Sequence, residues 1–194
     1  ILGSLAREDK LKNPKYIKMV SKILNENPNT VFLWTGRKEL SEIKSIFKSK
    51  GVMDRTHFIG WVNTSVFAHA IDILLDSFPT GNGITALQAM QAGKPVIFKS
   101  VKGSLAVFIY SALNGLDGTN KYGNKIKDIF QIKEGYENLF TCAENNKEYF
   151  IYAKKLISSK VYRDKVGLAY QNFIKNLMSN PFESSEIFYN HLMK

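Results

Sequence analysis

A glycine-rich segment in the middle of the chain has the residue types of an anion-binding site. Gly81, Asn82 and Gly83 lie in the loop after an apolar run and directly before a helical pattern. Glycines let the backbone approach a ligand closely and adopt positive φ angles. The amide N–H groups of Gly83, Ile84 and Thr85 at the helix start, together with the helix dipole, favour an anion such as a diphosphate. An ordinary glycine-rich turn with a helix cap fits the same letters.

Three cations follow the first apolar run of the chain, where they can face the same anion. Arg7 can clamp phosphate oxygens through two parallel hydrogen bonds, and Lys10 and Lys12 can add point charges. A solvated charge run is the alternative, and it suits Lys12 better than Arg7. On the predicted helix, Thr85 adds a hydroxyl, and the amide of Gln88 lies one turn further in, where it can reach a ribose hydroxyl.

Two further loops carry residues suited to a ligand. Gly36, Arg37 and Lys38 follow the apolar run 31–35 and supply more cations, with a solvated charge run again as the alternative. Trp61 and Val62 follow another predicted strand. The backbone there is placed to hydrogen-bond the edge of a base. The Trp61 ring can pack near that base, or it can be an aromatic at the edge of the core.

The histidines and the single cysteine are poorly placed for catalysis. None of His57, His69 and His191 has a Ser, Cys or carboxylate partner at a telling spacing, so we assign no triad and no catalytic base. Cys142 belongs to no Cys/His cluster that offers a zinc site. The sequence also lacks a P-loop and a GxGxxG after the first strand, which argues against a P-loop NTPase and an NAD enzyme. We therefore expect no catalytic residue of its own, no metal and no cofactor.

Composition and charge narrow the classes of protein. The 194 residues, 44% of them hydrophobic, suit one well-buried domain. The net charge of +10 favours an anionic partner, which is a nucleic acid, a membrane surface or a phosphorylated small molecule, although Lys residues scattered along helix faces also explain it. No basic stripe with interleaved aromatics marks a specific nucleic-acid site. With no run near the roughly 20 apolar residues of a membrane span and no basic leader, we expect a cytoplasmic protein with at most peripheral membrane contact.

Apolar runs alternate with helical patterns along the chain. The β-rich runs predict strands at 1–5, 31–35, 56–59, 71–75 and 95–98. Periodicity and capping residues predict helices at 13–27, 39–50, 65–70, 84–92, 105–114, 147–158, 162–178 and 184–193, and 117–135 is predicted to be a surface excursion. Strands separated by helices imply right-handed βαβ crossovers. The predicted fold is α/β: a Rossmann-like parallel sheet with helices on both faces, as one domain over 1–194 on which the C-terminal helices of 147–194 pack.

Three segments resemble the donor domain of GT-B glycosyltransferases. They are 58–62 (FIGWV), 72–79 (DILLDSFP) and 81–97 (GNGITALQAMQAGKPVI). More closely, they look like the O-linked N-acetylglucosamine transferase family and the bacterial enzymes that glycosylate asparagine on adhesins. The segments 143–149 (AENNKEY) and 179–182 (SNPF) are similar to that family's ending. The resemblance covers nearly the whole chain except 117–135.

The resemblance implies a UDP-sugar donor. Arg7 falls where the family has a cation on the β-phosphate, and Trp61 and Val62 fall where backbone atoms meet uracil. The residues 83–85 fall at the helix start that holds the pyrophosphate. Gln88 falls where the family has an acidic residue on the ribose, so the ribose contact departs from the family pattern.

The same resemblance bears on mechanism. Many retaining GT-B enzymes carry two glutamates eight residues apart across this helix, and this chain has Thr80 and Gln88 there. The resemblance therefore implies an inverting, metal-independent enzyme. In such enzymes the acceptor site, for a protein or a glycan, and the candidate base lie largely in an N-terminal half, which this chain lacks. We expect this chain by itself to be inactive.

Other functions stay open. A non-catalytic Rossmann-like binding or interaction module is favoured by Gln88 in place of an acid. A nucleotide-sugar epimerase shares the fold but needs catalytic residues that the sequence does not show. A basic nucleic-acid-binding domain is suggested by the net charge alone.

Overall fold

The computed structural model describes residues 1–99 and 139–178, with side chains through residue 175. The strands are β1 (Leu2–Ser4), β2 (Phe32–Thr35), β3 (Thr56–Gly60), β4 (Ile73–Leu75), β5 (Val96–Lys99) and β6 (Cys142–Ala143). The helices are α1 (Glu8–Leu11), α2 (Pro14–Glu26), α3 (Ser41–Ser49), α4 (Thr64–Phe67), α5 (Ile84–Gln91), α6 (Asn146–Ser158) and α7 (Lys160–Met178). Two short 3₁₀ turns cover Met53–Arg55 and Ala68–Ala70.

All six strands form one parallel sheet in the order β3-β2-β1-β4-β5-β6. Gly3 of β1 pairs with Leu33 on one side and Leu74 on the other. The chain builds outward from β1 to β3 and then returns to place β4 on the free side of β1. The topological switch point therefore lies between β1 and β4, and a ligand of such a sheet binds at the carboxyl ends of the strands beside that point.

Helices cover the sheet on both faces. Helix α2 contacts α3 and α6, and helix α5 contacts α4 and α7. The largest buried side chains come from strands and helices alike, and include Trp34, Tyr16, Tyr149 and Tyr170. The α/β fold with a parallel sheet and helices on both faces, predicted from the sequence, is confirmed.

Helix α7 packs unusually closely on the end of α5. A Cβ atom added to Gly167 would lie 2.1 Å from the carbonyl oxygen of Gly93, so no larger residue fits at 167 in this packing. Four residues further on, the side-chain amide of Gln171 donates to the carbonyl oxygen of Gln91 at 3.1 Å. The C-terminal end of α5 is therefore held by α7.

Several boundaries differ from the sequence-based predictions. The predicted helix 65–70 is split into α4 and a 3₁₀ turn, and the segment after β1, predicted as a loop, forms the four-residue helix α1. The two-residue strand β6 was not predicted. The predicted helices 105–114 and 184–193 and the excursion 117–135 lie outside the described residues. Within the part of the chain that the structure describes, no helix has both the length and the apolar content needed to cross a bilayer.

Candidate functional site

Two loops leave the carboxyl edge of the sheet at the switch point. The first follows β1 and contains α1, and the second runs from Asp76 to Gly83 between β4 and α5. Because β1 and β4 are neighbours, these loops face each other. The contact that joins them is a hydrogen bond from Lys10 Nζ to the carbonyl oxygen of Gly81, at 2.5 Å. The residue pattern predicts that these loops meet, and the structure brings them together.

The start of α5 presents backbone donors to the cleft. In residues 1–99 and 139–178, the amides of Gly83, Ile84 and Thr85 have no hydrogen-bond acceptor. Gly83 precedes the helix with a φ of 59° and a ψ of −120°, a conformation that favours glycine, and a Cβ there would meet no atom within 4 Å. The Thr85 hydroxyl donates to the carbonyl oxygen of Asn82 at 3.3 Å. Free amides at the positive end of a helix form a site for a negatively charged group.

The loop before α5 closes around the Asp76 carboxylate, which is 4% exposed. Its Oδ1 accepts the Asn82 N–H at 2.6 Å, and a Cβ on Gly81 would lie 2.9 Å from its Oδ2. The Ser77 hydroxyl donates to the carbonyl oxygen of Thr80 at 2.7 Å. Burial raises the pKa of Asp76 to about 7, while the Asn82 N–H and the charge of Lys10 oppose that rise.

The side chain of Asn82 has an internal role in this loop. Asn82 is 6% exposed, and its Oδ1 accepts from the Ser77 hydroxyl at 3.1 Å. Its Nδ2 is buried without a hydrogen-bond partner among the described residues. Asn82 is predicted from the sequence to be a donor-binding residue. The structure instead has it shape the loop from beneath, because its side chain is turned away from solvent.

The three cations after β1 differ in their surroundings. Lys10 is half-buried against the loop. Arg7 occupies the N-cap position of α1 on the same edge of the sheet, with its side chain exposed. Lys12 forms an exposed ion pair with Asp9 at 3.7 Å. Lys10 is therefore the cation of this group that touches the loop, while Arg7 and Lys12 stand in solvent beside it.

The loop after β2 is fixed by Glu8, which the sequence analysis did not single out. The Gly36 N–H donates to the carbonyl oxygen of Gly60 at 3.1 Å, and the Arg37 N–H donates to Glu8 Oε2 at 3.0 Å. Hydrogen bonds from backbone N–H groups of Glu8 and Arg37 lower the pKa of the Glu8 carboxyl. The backbone donors of Gly36 and Arg37 are thus already used within the protein.

Trp61 and Val62 after β3, and Gln88 on α5, complete the set of residues predicted to bind a ligand. Trp61 is 67% exposed, so it is not an aromatic of the core, and the Arg37 guanidinium lies 5.3 Å from its ring centroid. Val62 is half-buried. Gln88 Oε1 accepts from the Thr64 hydroxyl at 2.6 Å, which leaves the amide NH₂ of Gln88 as its donor for a ligand.

Lys99 is a further cation at this edge that the sequence analysis missed. It is the last residue of β5, its Nζ lies 4.4 Å from the centroid of the Phe78 ring, and it donates to Asn146 Oδ1. Burial, followed by the charge of Lys15, lowers the pKa of Lys99. Its position at the end of a predicted parallel strand was the available signal, since ligand-binding residues collect there.

The described histidines and cysteine belong to no metal-binding group. Among the residues that the structure describes, no three His, Cys, Asp or Glu side chains are grouped so as to hold a metal ion. His57 and His69 are exposed, and His191 lies outside the described residues. Cys142 is buried, and burial raises the pKa of its thiol to about 12.

Comparison with known families gives one match. Residues 1–156 match the model of the family described as "Glycosyl transferases group 1". No curated protein matches this sequence.

Solved structures share the fold. A mutant O-GlcNAc transferase from Thermobaculum terrenum is similar at a TM-score of 0.69 and 16% identity, over 98% of this chain and 35% of its own. The pneumococcal O-GlcNAc transferase GtfA, solved with UDP and GlcNAc, is similar at a TM-score of 0.65 and 17% identity, over 99% of this chain and 35% of its own. The C-terminal domain of LpcC, a glycosyl transferase group 1 family protein from Francisella tularensis, is similar at a TM-score of 0.62 and 18% identity, over 90% of this chain and 83% of its own.

These neighbours are GT-B glycosyltransferases, so the resemblance seen in the sequence is confirmed. Their sequence identities to this chain are low, and the likeness therefore concerns the fold. This chain spans about a third of the length of the two O-GlcNAc transferases.

Proposed function

Because this chain belongs to the glycosyl transferases group 1 family, we propose that it binds the nucleotide-sugar donor of a glycosyl transfer reaction at the switch point between β1 and β4. One observation carries the proposal: the amides of residues 83–85 are free at the start of α5, and Lys10 lies beside them. Backbone donors and a cation at one helix start are the groups that recognise a diphosphate.

A UDP-sugar is the donor that fits best. The pneumococcal GtfA structure holds UDP and GlcNAc. In this chain, the backbone at Trp61 and Val62 would meet the base, and the NH₂ of Gln88 would donate to a ribose hydroxyl. The free amides and Lys10, with Arg7 at the rim, would hold the two phosphates.

The chemistry would be electrostatic. In the transfer, the bond between the sugar C1 and the β-phosphate oxygen breaks, a bond from C1 to an acceptor oxygen or nitrogen forms, and the acceptor proton passes to a base outside this chain. The departing UDP gains negative charge, which the helix start, Lys10 and Arg7 would stabilise. These groups would offset the charge without a metal ion, so we expect the transfer to need no metal and no other cofactor.

Inversion at C1 is part of the proposal. Thr80 and Gln88 stand where many retaining relatives carry two glutamates, and the oxygen of Gln88 already accepts a hydrogen bond from Thr64. The acceptor would be a protein or a glycan, bound largely by a second domain outside this chain. We therefore expect this chain alone to bind donor without turnover. The anomeric configuration of the product, formed when the chain is assayed together with that second domain and read by proton NMR, tests the inversion: a retained configuration would contradict it.

Calorimetric titration with UDP tests the donor site. The parent chain should bind UDP and bind it more tightly than uridine, because the phosphates carry the contacts. Lys10→Ala should weaken UDP binding by about tenfold, since a charge-assisted contact is lost. Lys48→Ala removes the same charge from the end of α3, at the opposite edge of the sheet, and should have no effect. Equal affinity for UDP and uridine, or equal affinity of the two variants, would overturn the proposal.

A non-catalytic nucleotide-binding module is the second candidate. The pairing of Gln88 with Thr64 favours it, because the residue at the ribose position is neutral and partly engaged. A thermal-shift panel of UDP-sugars, GDP-mannose and ADP-glucose separates the two. Stabilisation by a UDP-sugar beyond that by UDP supports a donor site, whereas stabilisation by UDP alone, with no contribution of any sugar, supports the module.

A further inference from the structure

Asp76 is a buried carboxylate to which the proposed transfer assigns no role. It directly follows β4, beneath the loop that leads into α5. A buried carboxylate is unfavourable unless hydrogen bonds or cations compensate it. Here the compensation comes from the loop itself, through the Asn82 N–H on Oδ1. The backbone of Gly81 also passes so close to Oδ2 that a side chain at 81 would collide with it.

The same loop is anchored at two more points. At its beginning, the Tyr149 hydroxyl of α6 donates to the Asp76 carbonyl oxygen at 2.9 Å. Near its end, Lys10 donates to the Gly81 carbonyl oxygen. The carboxylate thus lies at the centre of a loop whose two ends are tied to other elements. Gly83, two residues after Gly81, is the N-cap of α5 and sets the direction of the free amides of that helix.

We propose that Asp76 is a positioning residue for donor binding: its buried carboxylate fixes the backbone at Gly81 and Asn82 so that the amides of residues 83–85 face the cleft. This inference rests on the proposed function, which it deepens. Without an acceptor at position 76, the Asn82 N–H would be left unsatisfied, and the loop would move to bond it elsewhere. The free amides would then lose their common direction.

The geometry separates the role of the acceptor atom from the role of the charge. An asparagine at 76 keeps an oxygen for the Asn82 N–H and fits the same space, whereas an alanine keeps neither oxygen. Lys10 Nζ bonds the loop at Gly81 and its charge acts on the Asp76 carboxylate, so a neutral residue at 76 leaves that charge free for phosphate. The conservative variant Asp76→Asn should therefore retain donor binding, and Asp76→Ala should not.

Calorimetry with UDP on the parent chain and three variants tests the proposal. Asp76→Ala should weaken binding by about tenfold or more, the effect of leaving a buried donor unpaired, and Asp76→Asn should stay within about threefold of the parent. Asp72→Ala is the matched control. Asp72 lies at the other end of the same strand, exposed and paired with the chain's amino group, and its loss should leave UDP binding unchanged.

Amide hydrogen exchange of Asn82, measured by NMR without nucleotide, gives a second readout. Exchange should be slow in the parent and in Asp76→Asn, and at least tenfold faster in Asp76→Ala. If Asp76→Ala does not fold, Gly81→Ala replaces it, because a methyl group there pushes the loop off the intact carboxylate. That variant should lose UDP affinity to a similar extent.

The two failures are distinguishable. A folded parent chain that binds neither UDP nor inorganic pyrophosphate contradicts the proposed function. A parent that binds UDP, with Asp76→Ala or Gly81→Ala binding as tightly and with unchanged Asn82 exchange, overturns the positioning role and leaves the proposed function standing. Loss of binding in Asp76→Asn, to the level of Asp76→Ala, also overturns it.

Discussion

The two sides of the cleft are built in different ways. On the α5 side, a loop crosslinked by Asp76, Ser77 and Lys10 leaves backbone amides free. On the β2–β3 side, the amides of Gly36 and Arg37 are engaged within the protein, and the exposed Arg37 and Trp61 side chains face solvent. Fixed backbone N–H groups suit a chemical group that all nucleotide sugars share, such as the diphosphate. Exposed side chains suit the part of a ligand that varies, such as a base.

The largest effect is expected from a substitution at Gly83, on the α5 side of the cleft. Gly83→Ala forces a side chain into a positive φ, which costs about 1–3 kcal/mol or turns the amides away. We expect UDP affinity to fall by about 100-fold, since several charge-assisted hydrogen bonds are lost together. Calorimetry measures this.

Gly51→Ala is the control for that variant. Gly51 also has a positive φ (68°) with open space around it, but it ends α3 at the opposite edge of the sheet. Its replacement should lower the melting temperature without changing UDP affinity. A Gly83→Ala chain that binds UDP as well as Gly51→Ala would remove the backbone amides from the site.

Smaller effects on UDP affinity are expected from the two cations after β1, Lys10 and Arg7, and they should differ in size. Lys10→Ala should weaken UDP binding more than Arg7→Ala does, by about tenfold against about threefold, because Lys10 contacts the loop and Arg7 lies in solvent. The Arg7 effect should also fade between 50 mM and 500 mM salt, since exposed charges are screened. Isothermal titrations at both salt concentrations measure this; a larger loss from Arg7→Ala would make Arg7 the principal phosphate cation.

The pH dependence of stability tests whether burial raises the pKa of Asp76 in the folded chain. Its pKa of about 7 in the folded chain exceeds its ordinary value of 3.8, so the folded state holds this proton more tightly than the unfolded state does. The resulting stability is present below pH 3.8 and is lost as the pH rises through 7. Lys10, Tyr16, Tyr149 and Cys142 are the other charged or titratable groups around it.

Asp76→Asn should remove this contribution. Between pH 5 and pH 8, its melting temperature should fall less than that of the parent, by on the order of 5 °C. Parallel thermal melts of the two proteins in the same buffers measure the difference. Parallel pH curves would show that Asp76 ionises in the folded chain at its ordinary pKa.

The smallest expected effect lies on the exposed side. Trp61→Ala should weaken UDP binding by about threefold through lost contact with the base and should leave pyrophosphate binding unchanged. Stability should change by less than about 0.5 kcal/mol, because the ring is mostly in solvent. Competition titrations with both ligands measure the split; an equal loss for UDP and pyrophosphate would show that Trp61 acts on the phosphate side.

The fold could be predicted because local signals agreed with one another. Asn13 and Pro14 mark the start of α2, and the Asn13 side chain does accept the Lys15 N–H. The apolar runs that became β1, β2, β4 and β5 are largely buried on both faces, so they carried a strong pattern, whereas β3 is partly exposed. Helix α1 was missed because its four residues contain a single apolar position, Leu11, and β6 because two residues form no pattern.

The site could be predicted only in part, since its main contacts join distant residues. Glycines before a helix gave the loop, and the carboxyl ends of strands gave the cations. The contact of Lys10 with Gly81 spans 71 positions in the sequence. Nor does a sequence tell which way the side chains of Asp76 and Asn82 turn, and here both turn inward. That choice depends on the space left by Gly81 and on Tyr149 of α6, which comes much later in the chain.

The close approach of Gly167 to Gly93 has a consequence for ligand recognition. Helix α7 immobilises the rear of α5, so the front of that helix keeps its orientation before any ligand arrives. If a nucleotide-sugar donor binds as proposed, the protein loses little conformational entropy on binding, which is the advantage of a preorganised receptor. Residue 167, far from the cleft and in contact with no donor group, thereby becomes a position where a methyl group would alter affinity by tilting the helix that carries the amides.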